Sequence, residues 1–447
     1  MGGGGARRMP VTPRRRPAPP RTAELVIDEI GARGDGVGRL DGRPVFVPFT
    51  AAGDRVRVRL GDTKGDGIRA QSLELLSPGP GRRQPPCRHF GDGSGDRCGG
   101  CTLQHLDEAT CTAWTLDHLR RTLARHGLAD VPIAPLAATL PGARRRARFA
   151  AVRQGARVHL GFNERASHRI VALTACPVLT PRLEALIAPL GRALVRVLAP
   201  GGTCDAVATD LDGGVDLLLV GPPALDLAAR EALAALAGDA DVARLSWQPH
   251  ERAPMEPVAH RRPVSLSPGG VPVVPPPGAF IQPSAAGEAA LTGAVTAALA
   301  GAGQVADLYA GIGTFALPLA AGGAAVHAVE ADATALGALA RAALARAGRS
   351  LRITTERRDL DREPLTGTEL RRFDAVVCDP PRAGAAAQCA VLAASSVAVV
   401  VAVSCNPATF VRDARTLVDG GYVLERIHPV DQFLWSAHLE LVGVFRR

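Results

Sequence analysis

The sequence predicts an α/β chain. A doubly wound, Rossmann-like parallel sheet lies towards the C-terminus, preceded by a small OB-like β-barrel and a middle α+β domain. Three observations carry this. After Gln282, helix-like and strand-like segments alternate, the pattern of a sheet with helices on its faces. A strand-like run at 305–309 leads straight into Gly311-Ile312-Gly313 and then an apolar helix. Residues 22–77 instead show short β-branched runs separated by glycine turns.

The 447 residues are too many for one core, so two or three domains are expected. A 47% hydrophobic and 21% charged composition fits a globular chain. No apolar run reaches the roughly 18 residues of a membrane span. Residues 1–21 hold arginines but no apolar segment, so they read as a disordered basic tail and not as a secretory leader. A cytoplasmic location is expected on that ground. The net charge of +9 suits a polyanionic partner, although an Arg- and Ala-rich chain with the single lysine Lys64 is basic without any binding site. In a reducing compartment, nine cysteines point to metal or catalysis before disulfides.

The barrel strands are marked by Val26, Gly36-Val37-Gly38, Val45-Phe46-Val47 and Val56-Arg57-Val58, with turns at Gly31, Gly34, Asp41-Gly42 and Gly53-Asp54. Such a barrel is an oligonucleotide platform or a ligand-free appendage. A Pro/Gly-rich linker at 78–86 leads to Cys87, Cys98 and Cys101, with a Gly-rich insertion at 92–96 between the first two. A helix is expected over 103–127, closed by Arg120, Arg121, Arg125 and Gly127. Strands follow at 147–152, 158–162 and 170–173, in and around which lie Arg144, Arg145, Arg146, Arg148 and Arg153. These arginines form a phosphate-facing stripe or a solvated face, and both readings stay open. Segments 203–220 and 242–248 continue the middle domain, and the proline-rich 261–278 marks a boundary. The expected divisions are therefore 1–21, 22–77, 78–275 and 276–447.

In the last of these, the glycines after the strand at 305–309 allow a tight turn and close approach of backbone to a ligand. A second strand, 325–329, ends at Glu330, placed to accept hydrogen bonds from ribose hydroxyls. The third glycine of the dinucleotide fingerprint is missing, and Thr314-Phe315-Ala316 stands there. A nucleoside without pyrophosphate, S-adenosylmethionine, fits better than NAD. A strand at 373–378 ends in Asp379-Pro380-Pro381-Arg382, whose prolines hold the carboxylate rigidly. That turn resembles the motif of methyltransferases acting on planar nitrogen heterocycles. The apolar run from Val399 stops at Ser404-Cys405-Asn406-Pro407, which puts a cysteine at a strand's carboxyl end, where ligands gather. Taken alone, Cys405 would be an ordinary small buried residue.

With these pieces together, the chain resembles the RNA uracil-5 methyltransferase family, and within it the branch with an N-terminal TRAM domain and an iron–sulfur cluster that modifies 23S ribosomal RNA. The motifs that carry the likeness are Phe280-Ile281-Gln282, Asp307-Leu308-Tyr309-Ala310-Gly311-Ile312-Gly313, Asp379-Pro380-Pro381-Arg382, Ser404-Cys405-Asn406-Pro407 and the segment 431–440. The resemblance implies that Cys405 is a nucleophile adding to carbon 6 of uracil. Glu440 is then the general base that removes the carbon 5 proton. Leu439 and Leu441-Val442 around Glu440 predict burial and a raised pKa. By the same matching, Gln282, Tyr309, Gly311, Gly313, Thr314, Glu330, Asp359 and Asp379 are expected around S-adenosylmethionine. Phe280 and Arg382 are expected on the substrate side, with Phe280 stacking near the target base. Leu434, Ser436, Ser284 and Thr314 depart from the usual family residues at supporting and cofactor positions.

Cys87, Cys98, Cys101 and Cys176 match the family's cluster ligands. Their spacing alone suits a four-cysteine zinc site as well, and the resemblance selects a [4Fe–4S] cluster. Cys111, Cys204, Cys378 and Cys389 are read as packing residues. Ribosomal RNA is the expected partner, and RNA contacts suffice for a monomer. The competing readings are a transfer-RNA target and a non-catalytic RNA-binding or ribosome-assembly factor.

Overall fold

The computed structural model describes residues 21–65, 67–91, 97–221, 224–345 and 351–447. The basic tail before residue 21 and the Gly-rich insertion 92–96 lie outside the described residues. The chain divides into two compact units, one of residues up to 31 with 35–80, the other of 32–34 with 81–447.

The first unit is a closed barrel of β1 (Thr22–Ile30), β2 (Gly36–Leu40), β3 (Arg43–Val47), β4 (Arg55–Lys64) and β5 (Gly67–Ser77), in the order β1-β2-β3-β5-β4. Alternation explains it. Leu25, Ile27, Val45, Val47, Val56 and Val58 point inward and form its core, while Glu24, Arg57 and Glu74 pair outside. The β2–β3 hairpin turns on Asp41 and Gly42, both at positive φ (51° and 77°), the geometry a two-residue turn needs to follow strand twist.

In the second unit the chain forms α1 (Glu108–Ala124), β6 (Ala137–Ala138), β7 (Arg146–Gln154), β8 (Arg157–Asn163), β9 (Ile170–Ala172), α2 (Pro181–Val197), β10 (Thr203–Leu211), β11 (Gly214–Val220), α3 (Leu227–Asp239), β12 (Val242–Gln248) and β13 (Glu256–His260). The expected helix from 103 starts only at 108, because the Asp107 side chain accepts the Thr110 N–H and caps it there. Seven strands make a sheet in the order β13-β12-β11-β10-β7-β8-β9. One face is closed by α2 and α3, whose Leu183, Leu186, Leu190, Leu194, Leu233 and Leu236 share a core with Phe149, Ala206, Leu217 and Leu245.

The remaining elements are α4 (Ala285–Ala298), β14 (Gln304–Leu308), α5 (Ala316–Ala321), β15 (Ala325–Glu330), α6 (Ala333–Ala345), β16 (Ile353–Arg357), α7 (Gly367–Leu370), β17 (Ala375–Cys378), α8 (Ala386–Ala393), β18 (Val399–Ser404), α9 (Pro407–Asp419), β19 (Val423–Asp431) and β20 (Glu440–Arg446). They build an eight-stranded sheet in the order β16-β15-β14-β17-β18-β20-β19-β6. The first five strands are parallel, as the helix–strand alternation predicts. The departure comes at the end. β20 inserts antiparallel between β18 and β19, and the two-residue β6 runs along the far edge of β19. Strand order reverses between β14 and β17, which opens a crevice at their carboxyl ends. α1 also joins this layer. Its Leu119 and Leu123 share a core with Phe410, Val411 and Leu417 of α9.

Candidate active site

The ends of β14, β15, β17, β18 and the start of β20 bring together most of the residues singled out in the sequence. Tyr309, directly after β14, has φ 64°, a conformation that costs a non-glycine residue on the order of 1–3 kcal/mol. Its hydroxyl donates to Asp361 Oδ1 at 3.0 Å. Gly311 (φ 55°) and Gly313 (φ 96°) serve different ends. A side chain on Gly313 would strike Leu339 Cδ1 at 2.4 Å, so this glycine lets the loop pack on α6. A Cβ on Gly311 would meet nothing within 4 Å, which leaves the backbone bare toward open space. Glu330 Oε2 accepts the Gly311 N–H at 2.9 Å and its Oε1 the Asp332 N–H at 2.8 Å. Each oxygen keeps a lone pair for another donor. Thr314 is half-buried beside them. Asp359 lies after β16, exposed and paired with Arg362 at 3.3 Å; its neighbour Asp361, not Asp359, reaches Tyr309.

Ser404 pairs with Leu441 across β18 and β20, so the next residues in register are Cys405 and Glu440. Asp379 follows β17, the other neighbour of β18. Glu440 is only 5% exposed. Burial, then the nearby Asp379, push its carboxyl up to about 8, while a hydrogen bond from Gln432 pulls the other way. Burial alone raises Asp379 to about 7. Burial, Glu440 and Asp379 push the Cys405 thiol up to about 11, and Arg382 opposes them. Cys405 lines a cleft of about 690 Å³ with Asn406, Arg382, His438, His118 of α1 and Arg125 just after that helix. Glu440 is not part of that wall; it is buried at the root of the strands. The Asn406 side chain caps α9 by accepting the Ala408 N–H, and its Nδ2 donates to the Arg382 carbonyl, which ties the two turns together. Phe280 is 66% exposed, with the Arg146 guanidinium 5.6 Å from its ring centre.

A thiol, a proton-holding carboxyl and a second carboxyl thus converge at a topological switch point beside a glycine turn held by Glu330. Over residues 275–447 the chain matches the family model described as tRNA (Uracil-5-)-methyltransferase, and over 21–71 the TRAM domain. It is 44% identical to an RNA methyltransferase of Brucella suis biovar 1 described as uncharacterized, over 96% of this chain and 98% of the relative. The chain belongs to the uracil-5 RNA methyltransferase family. It is also 35% identical to the 23S rRNA (uracil(1939)-C(5))-methyltransferase of Halomonas elongata, over 97% of this chain and 91% of that one. It shares the fold of the tRNA (uracil-54, C5)-methyltransferase of Pyrococcus abyssi, solved with S-adenosyl-L-homocysteine, at TM-score 0.71 and 23% identity, over 95% of this chain and 100% of that one. It is a methyltransferase with S-adenosylmethionine as methyl donor.

In this methyltransferase, Cys87, Cys98, Cys101 and Cys176 line one cavity of about 520 Å³, together with Arg144 and His438. Among the described residues, no three His, Cys, Asp or Glu side chains are placed to hold a metal ion. Cys204, Cys378 and Cys389 are buried, and Cys111 is half-buried. The arginines read as a stripe or a solvated face are mostly neither. Arg145 pairs with Glu288 at 2.6 Å and donates to the Gln282 carbonyl. Arg146 donates to the carbonyls of Gly278 and Ala279, Arg153 to those of Val195 and Leu198. They bind the middle sheet to the loop that carries Phe280 and Gln282, or brace the middle domain itself. Arg148, half-exposed, pairs with Asp205 and Glu251.

The sequence reading passed over Gln432 and His438. Gln432 Nε2 donates to Gln282 Oε1 at 2.7 Å, and Gln282 Nε2 lies 3.5 Å from Asp379 Oδ2. Both glutamines are buried. Their only signal was position within quoted motifs.

Proposed function

We propose that this enzyme methylates carbon 5 of a specific uridine in 23S ribosomal RNA through covalent addition of Cys405. The adjacency of Cys405 and Glu440 across β18 and β20, with Asp379 on the other side, carries this reading. Carbon 5 of uracil is a weak nucleophile. As the Cys405 sulfur bonds to carbon 6, its proton passes to solvent and the ring electrons shift to the carbon 4 oxygen. The carbon 5 of that enolate can then take a methyl group. S-adenosylmethionine, when bound, supplies it as an electrophilic methyl on a sulfonium, whose positive charge also favours the thiolate. Glu440 accepts the carbon 5 proton. The released electron pair re-forms the 5,6 double bond and expels the Cys405 thiolate.

Glu330 and the bare backbone at Gly311 suit the ribose, and Tyr309, Thr314, Gly313, Gln282 and Asp379 complete the donor's surroundings. Asp359 belongs to this set only if its pair with Arg362 opens. Phe280 offers a face for an extruded base, and Arg382, beside Cys405, serves the RNA. The ribosomal target draws on the 35% identity to the Halomonas elongata enzyme over nearly the whole chain. A transfer-RNA target is the second reading, favoured by the description of the matching family model.

The same reading assigns Cys87, Cys98, Cys101 and Cys176 to a [4Fe–4S] cluster. That the four thiols line one cavity supports a shared ligand, and the family resemblance is what favours the cluster over a zinc ion. The methyl transfer needs no electron, so the cluster's part is structural or in RNA contact.

The test is direct. RNA containing 5-fluorouridine at the target cannot lose fluorine as it loses a proton, so a stable protein–RNA adduct should build up on ribosomal RNA. An adduct with transfer RNA alone moves the target, and none with either RNA overturns the covalent route.

A further inference from the structure

Gln432 is 2% exposed, directly after β19, and sits between the two carboxyl groups of the site. One β19 residue earlier but one, Val430, pairs with Glu440 itself. The Gln432 amide nitrogen donates to Gln282 Oε1 at 2.7 Å, and Gln282 passes its own amide toward Asp379 Oδ2 at 3.5 Å. A chain of two amides therefore joins the surroundings of Glu440 to Asp379.

The side chain is held tightly. A Cβ added to Gly287, in the first turn of α4, would lie 2.6 Å from Gln432 Oε1 and 2.8 Å from its Cβ. A glycine is a poor helix residue, and here it makes room for this glutamine and for the Ser284 Oγ, 2.7 Å from the same added Cβ, that caps α4. The same close packing leaves Gln432 Oε1 buried with no hydrogen-bond partner among the described residues. A buried acceptor left unpaired is unfavourable, so the amide orientation has a use: it directs the nitrogen to Gln282, on the side of β19 where Val430 pairs with Glu440.

We propose that Gln432 is a positioning residue for Glu440: its amide, fixed by Gln282 and by the Gly287 notch, presents a donor that holds the base as an aimed carboxylate. This rests on the reading of Glu440 as base. Two forces drive that carboxyl toward the protonated, inactive form, namely burial and Asp379, and the amide is the group opposing them. Gln432 touches no reacting atom. It acts on the second half of the cycle, in which the carbon 5 proton leaves and the Cys405–carbon 6 bond breaks.

The experiment compares wild type with Gln432→Met, which keeps the side chain's length and loses its donor, and with Gly287→Ala, which keeps the amide and displaces it. Turnover is measured on unmodified RNA, and adducts are read on denaturing gels. The expected result for Gln432→Met is a kcat lower by about 10- to 100-fold and a methylated adduct at Cys405 that accumulates because elimination is slowed. Gly287→Ala should show the same signature more weakly. Wild-type kcat in Gln432→Met, or a loss of kcat without adduct, would overturn the proposal; the latter would leave only a packing role. If Gln432→Met fails to fold, judged by its melt, Gly287→Ala carries the decision by the same two criteria. Wild-type trapping on 5-fluorouridine RNA keeps the outcomes apart: no adduct there refutes the base-and-nucleophile reading itself.

Discussion

Two cavities of this enzyme share a wall. Gly99, Gly100, Ser436 and His438 line both the cavity of four cysteines and the cleft of Cys405. The chemistry on the two sides differs. Both walls are cationic: Arg144, Arg146 and Arg148 stand around the four cysteines, and Arg33, Arg125 and Arg382 around Cys405. The difference lies behind the walls: Glu440 and Asp379 are in electrostatic reach of Cys405, with Arg382 opposing them, whereas burial and the neighbouring thiols are what raise Cys98, Cys101 and Cys176. Thiols gathered within reach of one another suit joint thiolate bonds to a metal, which displaces their protons together. On the proposed mechanism, a lone thiol beside carboxyls holds its proton until substrate arrives and has an acceptor for a second proton nearby. His438 stands in the shared wall. Burial, Arg382 from one side and Arg144 from the other keep its imidazole neutral. The lesson is that residue type alone does not set a cysteine's work; the company it keeps does, other thiols in one cavity and carboxyls behind the other.

Three experiments sharpen or break this contrast. The largest effect belongs to Cys405→Ala. Methyl transfer from labelled S-adenosylmethionine should fall on the order of 10⁴-fold or more, with an unchanged melt; activity near wild type would erase the distinction between the cavities.

Next is Glu440→Gln, expected to lower kcat about 10²- to 10⁴-fold and to leave the RNA attached to Cys405. pH gives the same residue a second readout. The folded carboxyl titrates near 8, above the ordinary carboxylate value of about 4.3. Wild-type turnover should therefore climb as pH rises toward and past 8. Stability moves the other way. A carboxyl raised by folding binds its proton more tightly in the folded state, so its contribution is whole at low pH and is lost as pH rises through about 8. Asp379, near 7, and Asp431, near 6, add to the same decline. Between pH 5 and 8 the melting temperature should fall for wild type and fall less for Glu440→Gln. A flat wild-type profile would contradict the burial argument.

The smallest effect on chemistry should come from the other cavity. Cys98→Ser is expected to remove the brown absorbance and bound iron of anaerobically purified protein, lower the melt, and cost about tenfold in activity. A colourless wild type with stoichiometric zinc would turn the assignment around.

Much of this arrangement was legible in the sequence. Strands ending in Gly311, Glu330, Asp379 and Cys405 showed themselves because a buried parallel strand is a short apolar run that stops at a turn. Leu439 and Leu441 gave away the burial of Glu440. Other features left no trace. β6 is two residues long, too short for any period. The latch made by Arg145 on Glu288 spans 143 positions and looks like any other arginine beforehand. Gln432 gains its role from a glycine in α4 and an amide 150 positions away, contacts that only the folded chain creates. The apolar fit of α1 on α9 was open to expectation, but its first turn was misplaced because Asp107, not the apolar pattern, sets where the helix begins.

α1 and β6 precede the middle sheet in the chain yet lie with the sheet that follows it. During synthesis, then, a helix and an edge strand leave the ribosome long before the partners they dock on, and the whole seven-stranded layer is made in the interval. They wait with Leu119 and Leu123 uncovered. A fragment cut at the start of the later sheet would inherit the opposite defect, with a bare edge on β19 and an uncapped apolar patch on α9, and should prove sticky and poorly soluble where the unbroken polypeptide is not.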